Sequence, residues 1–495
     1  MGAAEDVGEG GAEVSEAEGV NWLMPPRKRS VIKSSFHMNA NPSRRDVVKM
    51  AGAASAAVGP FIQKVKAAND QVQYGFIGTG SRGTYLLGHL AKTDSGRCVA
   101  VCDLDPAHAD KGAEIIGTSP QKFKDHRELL AAKNIDAVLI AVPLYEHFRV
   151  TKDALEAGKH VFCEKSLVFK PEEVHALRAL AAARPKQVIQ VGLQRRYSKF
   201  YQAVNDMVTK GVLGDVKHVY AQWHRNDVYR RTMTWTMKPG GRNNPGNWRL
   251  FREFSGGPAA ELASHQIDIA DWMLGSQPDF VVGVGDNSTI LDGRDIFDNL
   301  ELIFKHPGGK KMIWSGVCTS SHLPLLDCTR SEMGELIIGT EGAVHITVGD
   351  DKNPATAMWF PEPPKPQATQ TGEKEKEHKA GATMVSVAPG KSLPILLSKD
   401  EVSGNESFLD KEMKFARRWL YNKGVMAPEE DKNPVDSELE GFLENCRDGK
   451  RPRADVEVGL RDSIAVMFSN LCAEQERRVN FNEIDMMGLP GGKKA

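Results

Sequence analysis

The chain has 495 residues, 41 % of them hydrophobic, and 64 basic against 65 acidic side chains give a formal net charge of −1. That is room for two ordinary domains plus appendages, and the near-neutral balance gives no electrostatic reason to expect nucleic acid or an anionic membrane as partner. Seven cysteines, an odd number without CxxC spacing, argue against a disulfide framework or a zinc site and read as mostly buried thiols.

Residues 1–70 read as a leader. Met1 to His37 is acidic and Gly/Ala-rich, then basic, and is not expected to fold. Ser43-Arg44-Arg45-Asp46-Val47-Val48-Lys49, followed by AGAASAAVGPFI, is a twin-arginine pair leading into a weakly apolar segment. That segment is too short for a stable bilayer span, and Ala67-Ala68 is placed to follow cleavage. Translation from Met38 would give an ordinary signal length. The expectation is export of a folded protein to the periplasm or an equivalent compartment. The alternative is a basic amphipathic helix without targeting value.

Tyr74 to Ile77 is an apolar run that predicts a buried strand. It breaks into Gly78-Thr79-Gly80-Ser81-Arg82-Gly83, after which Thr84 to Leu90 has helical spacing. Gly78 would make the tight turn, Gly80 would let a pyrophosphate approach the backbone, and Gly83 would let helix and strand pack closely. Free N–H groups at the helix start, around Ser81 and Arg82, with the positive end of the helix dipole, suit a diphosphate. A second strand, Arg97 to Cys102, ends at Asp103. A carboxylate there bonds the ribose 2′-hydroxyl of NAD and repels the 2′-phosphate of NADP. Arg82 keeps NADP open as the alternative, because it could reach a phosphate.

The alternation continues through helix Pro106 to Ile116, strand Ile135 to Val142, helix Glu146 to Ala157, strand His160 to Cys163, helix Pro171 to Ala183 and strand Gln187 to Val191. Such a series predicts a parallel sheet with right-handed crossovers, an α/β Rossmann domain over residues 71–192. The texture then changes. Helices Lys199 to Lys210 and Ala260 to Leu274 and a strand Val216 to Arg225 precede strands Asp279 to Ile290, Phe297 to Phe304, Lys311 to Cys318, Met333 to Ile338 and Ala343 to Val348. Residues 193–350 therefore read as an α+β domain with a large, open-faced, mostly antiparallel sheet. Residues 351–407, rich in Pro, Lys, Glu, Thr and Ser, read as an insertion of low order. Residues 408–495 carry helices Phe408 to Tyr421, Asp436 to Cys446 and Val456 to Glu476, expected to pack back on the domains.

In an open α/β sheet the ligand lies beyond the carboxyl ends of the strands. That rule singles out Pro143-Leu144-Tyr145-Glu146-His147, Glu164-Lys165-Ser166 and Gly192-Leu193-Gln194-Arg195-Arg196-Tyr197. Taken with the glycine turn, Asp103 and the later Glu261-Leu262-Ala263-Ser264-His265-Gln266-Ile267-Asp268, these segments resemble the Gfo/Idh/MocA family of glucose–fructose oxidoreductase and inositol 2-dehydrogenase. The similarity covers residues 72 to about 345, with the last helices included. The resemblance implies NAD(P)-dependent oxidation or reduction at a sugar or cyclitol carbon. The family's Glu-Lys-Pro motif puts its lysine, here Lys165, beside nicotinamide and substrate. Ser166 stands where the family has proline, which loosens a constraint on that lysine. The family's Asp-x-x-x-His pair maps onto Glu261 and His265, which share a face at i, i+4 on a helix. The longer Glu alters the geometry of the pair.

The implied step is proton removal from a hydroxyl by His265 or Lys165 while the carbon gives hydride to nicotinamide. Glu164 would touch the cofactor or orient Lys165. Pro143 and His147 stand toward the cofactor, with His147 reaching the nicotinamide ribose or substrate, or else lying exposed at a helix start. Gln194, Arg195, Arg196 and Tyr197 offer groups that bond sugar hydroxyls, or form an ordinary salt-bridged surface. Asp268 lines the site or caps a contact. Trp223-His224-Arg225-Asn226, Arg230, Arg231 and Asn247-Trp248-Arg249 form a second polar–aromatic cluster, for sugar stacking or for an oligomer interface on the open sheet. Without paired histidine spacing, no metal is predicted. The leading reading is an exported, homo-oligomeric (dimer or tetramer) NAD-dependent sugar or glycoside dehydrogenase. A redox glycosidase that oxidises, eliminates and re-reduces is the alternative within the same fold. A non-catalytic sugar-binding protein that keeps nucleotide as structure is the alternative from another class.

Overall fold

The computed structural model describes residues 71–226, 236–319, 333–347, 356–362, 393–396, 425 and 432–487. The leader, Arg230, Arg231 and the expected helix Phe408 to Tyr421 lie outside the described residues.

The first sheet is parallel, with strands β1 (Val72–Ile77), β2 (Gly96–Cys102), β3 (Gln121–Phe123), β4 (Ala137–Ile140), β5 (His160–Cys163) and β6 (Ile189–Val191) in the order β3-β2-β1-β4-β5-β6. Both faces are covered by helices, so β4 can be apolar and buried throughout. The covering helices are α1 (Ser81–Leu90), α2 (Pro106–Ile116), α3 (His126–Ala131), α4 (His147–Glu156) and α5 (Pro171–Ala182). Chain order reverses between β1 and β4, and that reversal opens the crevice where such sheets bind ligands. The sequence pattern did not anticipate β3 and α3, which are short and mostly polar outside Leu129 and Leu130.

The second domain starts with α6 (Lys199–Thr209) and β7 (His218–His224). A π-helical turn, Ala259–Ala263, then runs directly into α7 (Ser264–Leu274). Its sheet adds β8 (Phe280–Asp286), β9 (Asn299–Lys305), β10 (Lys311–Val317), β11 (Met333–Ile338), β12 (Gly342–Thr347), β13 (Thr356–Pro361) and β14 (Leu393–Leu396). With a short final strand β15 (Val479–Asn480), the order is β14-β13-β12-β11-β7-β10-β9-β8-β15, and only the β7–β10 pairing among these is parallel. Strand β9 shows the period of two: Leu300, Leu302 and Phe304 are buried while Glu301 and Ile303 are exposed. The stretch expected to have low order contains β13 and β14. Their short apolar islands were masked by the polar composition around them.

Gln266 pins α7 to this sheet. Its Nε2 donates to the carbonyl oxygens of Gln222 and Gly334, and its Oε1 accepts from Trp314 Nε1 at 2.7 Å. Two further helices, α8 (Pro434–Asp448) and α9 (Val456–Glu474), complete the fold. Helix α8 turns Val435, Glu438, Leu439, Phe442 and Leu443 inward, the spacing of one helix face, and Phe442 meets Phe162 edge-on at 5.8 Å. Helix α9 is buried along most of its length against β8, β6 and α7. No helix among the described residues is long and apolar enough to cross a membrane.

Candidate active site

The glycine turn has the geometry its spacing implies. Gly78 sits at φ +91°, where a Cβ would lie 2.7 Å from the Ala141 carbonyl across the switch point. A Cβ on Gly83 would lie 2.0 Å from the Gly78 oxygen, so only glycine lets α1 start this close to β1. Gly80 is the opposite case, because a Cβ there would meet nothing within 4 Å. The first turn of α1 has no side-chain cap, whereas Asp105 caps α2 and Ser198 caps α6. Its N–H groups, at Ser81, Arg82 and Gly83, are therefore not taken by a capping side chain, which suits a diphosphate.

Asp103 follows β2. Its Oδ2 accepts from Thr79 N at 2.8 Å and its Oδ1 from Asp105 N at 2.9 Å, which fixes the carboxylate beside the turn and leaves lone pairs for a ribose. Arg82 points elsewhere: Nε donates to Glu164 at 2.7 Å and Nη2 to Gln194 at 2.9 Å. A fixed carboxylate at the ribose position, with Arg82 bonded to Glu164 and Gln194, fits NAD rather than NADP. Bound there, the nicotinamide ring would supply a hydride acceptor. Pro143 leads the turn Leu144–Glu146 on the far wall of the crevice, at the end of β4.

Lys165 leaves β5 and crosses to the second domain. Its Nζ donates to the carbonyl oxygen of Ala260 at 2.6 Å and of Glu261 at 3.0 Å, both in the π turn. Burial lowers its pKa, and Glu261, Glu164 and Asp462 partly restore it. Glu164 is buried, bonded to Arg82 and, through Oε2, to the Lys165 N–H at 3.3 Å. Glu261 is raised by burial but held below the usual range by Arg249, whose Nε lies 3.3 Å from Oε2, and by Lys165. His265 sits against Trp223, ring centres 6.3 Å apart, and its Nδ1 is buried without a hydrogen-bond partner. Burial, then the cations Lys165, Arg195 and Arg82, hold its pKa well below the ordinary value, so the ring is a neutral imidazole. Glu261 and His265 thus flank Lys165 as expected from their spacing, but across a π turn and not on one continuous α-helix.

Other expected site residues are engaged elsewhere. His147 is fully buried, with Nδ1 2.7 Å from the Ser166 oxygen and Nε2 3.0 Å from the Val142 oxygen. It ties the strand-end loops together, with no ring nitrogen left for a ribose. Arg195 is buried in an ion pair with Glu335, which also accepts from Tyr201 Oη at 2.7 Å. Tyr197 is buried under α8, where its hydroxyl takes the Ala454 N–H at 3.5 Å. Arg196 holds both oxygens of Asp268 from Nε, at 2.8 and 2.9 Å, so Asp268 buttresses the site. His224 Nε2 lies 3.0 Å from Ser315 Oγ at the end of β7. Of the Gln194–Tyr197 group, Gln194, through Arg82, is the member that stays joined to the glycine turn.

Among the buried carboxyls that the sequence reading did not single out, Glu438 on α8 and Asp462 on α9 have neither oxygen in a hydrogen bond of ordinary geometry. Glu438 had a signal: it is an acid in the apolar stripe of an amphipathic helix. Asp462 lies in a helix buried nearly all round, where no stripe marks it.

Comparison with known proteins bears on the family and the fold. Residues 72–193 match the profile of an oxidoreductase family with an NAD-binding Rossmann fold, GFO_IDH_MocA, and residues 201–345 match the GFO/IDH/MocA C-terminal domain. The chain is 30 % identical over 207 residues to inositol 2-dehydrogenase of Burkholderia cenocepacia, covering 41 % of this chain and 55 % of that one. It is 30 % identical over 226 residues to an uncharacterized oxidoreductase of Synechocystis, 46 % of this chain and 57 % of the relative. The chain thus spans a little over half the length of these curated relatives. The crystal structure of scyllo-inositol dehydrogenase from Lactobacillus casei with NAD(H) and scyllo-inositol superposes with TM-score 0.57 at 18 % identity, covering 83 % of this chain and 99 % of the other. At that identity the likeness speaks for the fold.

Proposed function

The chain belongs to the Gfo/Idh/MocA oxidoreductase family, and from that premise we propose that it oxidises a secondary hydroxyl of a cyclitol, sugar or glycoside by hydride transfer to bound NAD. One observation carries the reading: the π turn takes two of the hydrogen-bonding positions on the Lys165 amine. A neutral amine so held keeps its lone pair for the substrate hydroxyl proton. The ammonium form instead keeps one N–H to donate to the product carbonyl. Lys165 therefore handles the proton in both directions, while the neutral His265 offers a second acceptor and Glu261 holds Arg249. A positioned base of this kind is worth roughly 10²–10⁴ in rate.

The substrate class is supported by the inositol 2-dehydrogenase relatives. We extend the proposal to export through the twin-arginine pair Arg44-Arg45. We extend it also to self-association through the outer face of the second sheet, which exposes Val284, Ile303 and Phe360.

The test follows reduced nicotinamide while purified protein meets a panel of inositols, free aldoses and aryl glycosides, with products analysed in the same tubes. Reduction with one class supports the reading and names the substrate. Aglycone release without net reduction replaces it with a redox glycosidase, and silence in both channels overturns it.

A further inference from the structure

Helix α9 lies outside both family profiles, yet it reaches the strand end that carries Lys165. Gly459 allows the approach, since a Cβ there would lie 2.4 Å from Val191 and 3.2 Å from Leu167. One turn further on, Ser463 Oγ accepts the Val168 N–H at 3.2 Å, and Asp462 beside it faces Ser166. Both Asp462 carboxyl oxygens and the Ser166 hydroxyl are buried, and none of the three completes a hydrogen bond of ordinary geometry. An unpartnered carboxyl in a helix this deeply buried is unfavourable on packing grounds alone. It faces Lys165 and Ser166 on the strand-end loop, Asp268 and Asp271 on α7, and Arg196 after β6. Lys165 is faced in turn by Glu261, Glu164, Asp462, Arg82 and His265.

We propose that Asp462 is a positioning residue of the redox site, acting across Ser166 to set the pH at which the Lys165 amine changes protonation. The proposal rests on Lys165 handling the hydroxyl proton as described above. An ionised Asp462 favours the ammonium, and a protonated one releases the amine. The Ser166 hydroxyl faces the carboxylate and favours its ionised form, an influence that the family's proline at this position could not exert. Burial and the neighbouring Asp268 push the Asp462 acid up to about 7, so its charge changes in the neutral range.

The test uses the full chain. Folded protein is acylated with acetic anhydride across a pH series, and Lys165 modification is read by peptide mass spectrometry. In Asp462→Asn the Lys165 curve moves to lower pH by about one unit, the effect of losing one nearby opposite charge. The limb of the kcat–pH profile moves with it and KM stays unchanged. Ser166→Ala moves the curve the same way by a smaller amount, and covers the case in which Asp462→Asn does not fold. A Lys165 curve that superimposes on the parent in a folded variant overturns the proposal, because a merely structural role changes stability without moving that curve. Shifted acylation curves in a protein that reduces no cofactor support the link between Asp462 and Lys165 and reject the dehydrogenase reading. Hydride transfer with unmoved curves rejects this proposal alone.

Discussion

The Lys165 amine is fastened to Ala260, Nζ to carbonyl oxygen at 2.6 Å, because a π turn frees that carbonyl. Within the turn the Ser264 N–H reaches back five residues to Ala259, so the Ala260 oxygen is left for Ser264 Oγ and for Lys165. Methionine at this position keeps the stem and loses the amine. Lys165→Met should therefore lower kcat by roughly 10²–10⁴ while NADH affinity and melting temperature stay near the parent. Lys165→Arg should be as inactive, since a guanidinium donates but cannot give up its proton. Steady-state rates beside calorimetric NADH titration separate the two effects. Loss of NADH binding in both variants would mean the lysine serves the cofactor instead.

Two buried histidines contribute to the pH dependence of stability in opposite directions. Burial lowers His306, with Nδ1 3.0 Å from the Ser276 oxygen, to about 4 from 6.5. Between those values the unfolded chain binds a proton that the native state does not, so stability falls as pH falls through this window, by about 3 kcal/mol in full. His147 runs the other way. Burial alone would lower it, but Cys163 and the Ser166 and Val142 carbonyls outweigh burial and hold it at about 9. Its contribution is complete below 6.5 and is lost as pH rises toward 9, again by about 3 kcal/mol. Urea melts across this range should show maximal stability near neutrality. Relative to the parent, His306→Asn should flatten the acid side alone and His147→Gln the alkaline side alone. Parallel curves for either variant would contradict the assignment.

These histidines also mark what could be read from the chain beforehand. The glycine turn was legible because Gly78 and Gly83 meet local demands, a positive φ and a close backbone approach, that only glycine satisfies. Lys165, Glu261 and His265 were singled out by a strand end and by the family resemblance, and their placement around one amine is seen in the structure, although the π turn between Glu261 and His265 was not anticipated. The surroundings of Arg195, Arg196 and Tyr197 were not legible. They occupy the single turn Gln194–Tyr197, in which successive residues face different neighbours. Their partners, Glu335, Asp268 and Ala454, are far away in the chain. His147 was read as exposed or ligand-facing because nothing local announces that two carbonyls, one from another loop, enclose it. Glu438 stands out by spacing, as an acid in the apolar stripe of α8, whereas Asp462 depends on how α9 docks, which residue spacing does not encode.

Cofactor choice follows from the division of labour between Asp103 and Arg82. Asp103→Ala removes the acceptor for a ribose hydroxyl and also for Thr79 N. Loss of hydrogen bonds to a charged group, about 1.5–3 kcal/mol, should weaken NADH binding roughly 10–100-fold. NADPH should not gain in compensation, because Arg82 stays bonded to Glu164 and Gln194. A double variant, Asp103→Ser with Leu104→Arg, supplies a cation on the exposed residue next to the ribose site and should bring NADPH binding up. Fluorescence titration with both reduced nucleotides measures each case. Strong NADPH binding by Asp103→Ala alone would show that Arg82 swings free.

The two glycines of the turn offer a contrast that separates folding from cofactor binding. In Gly83→Ala the new methyl would lie 2.0 Å from the Gly78 oxygen, a backbone atom, so α1 or β1 must move. Overpacking of this kind should destabilise the protein by roughly 1–3 kcal/mol, and NADH binding should fall with it. Gly80→Ala meets no protein atom within 4 Å and keeps an ordinary extended backbone, so the free protein should melt like the parent. The methyl instead occupies the space a diphosphate needs to reach the uncapped N–H groups of α1. NADH should bind roughly tenfold more weakly or worse, the equivalent of one lost charge-assisted hydrogen bond. Thermal melts with and without NADH resolve the pair: Gly83→Ala is shifted in both, and Gly80→Ala only in the gain that NADH confers. An unchanged NADH-induced shift in Gly80→Ala would place the diphosphate away from this helix end.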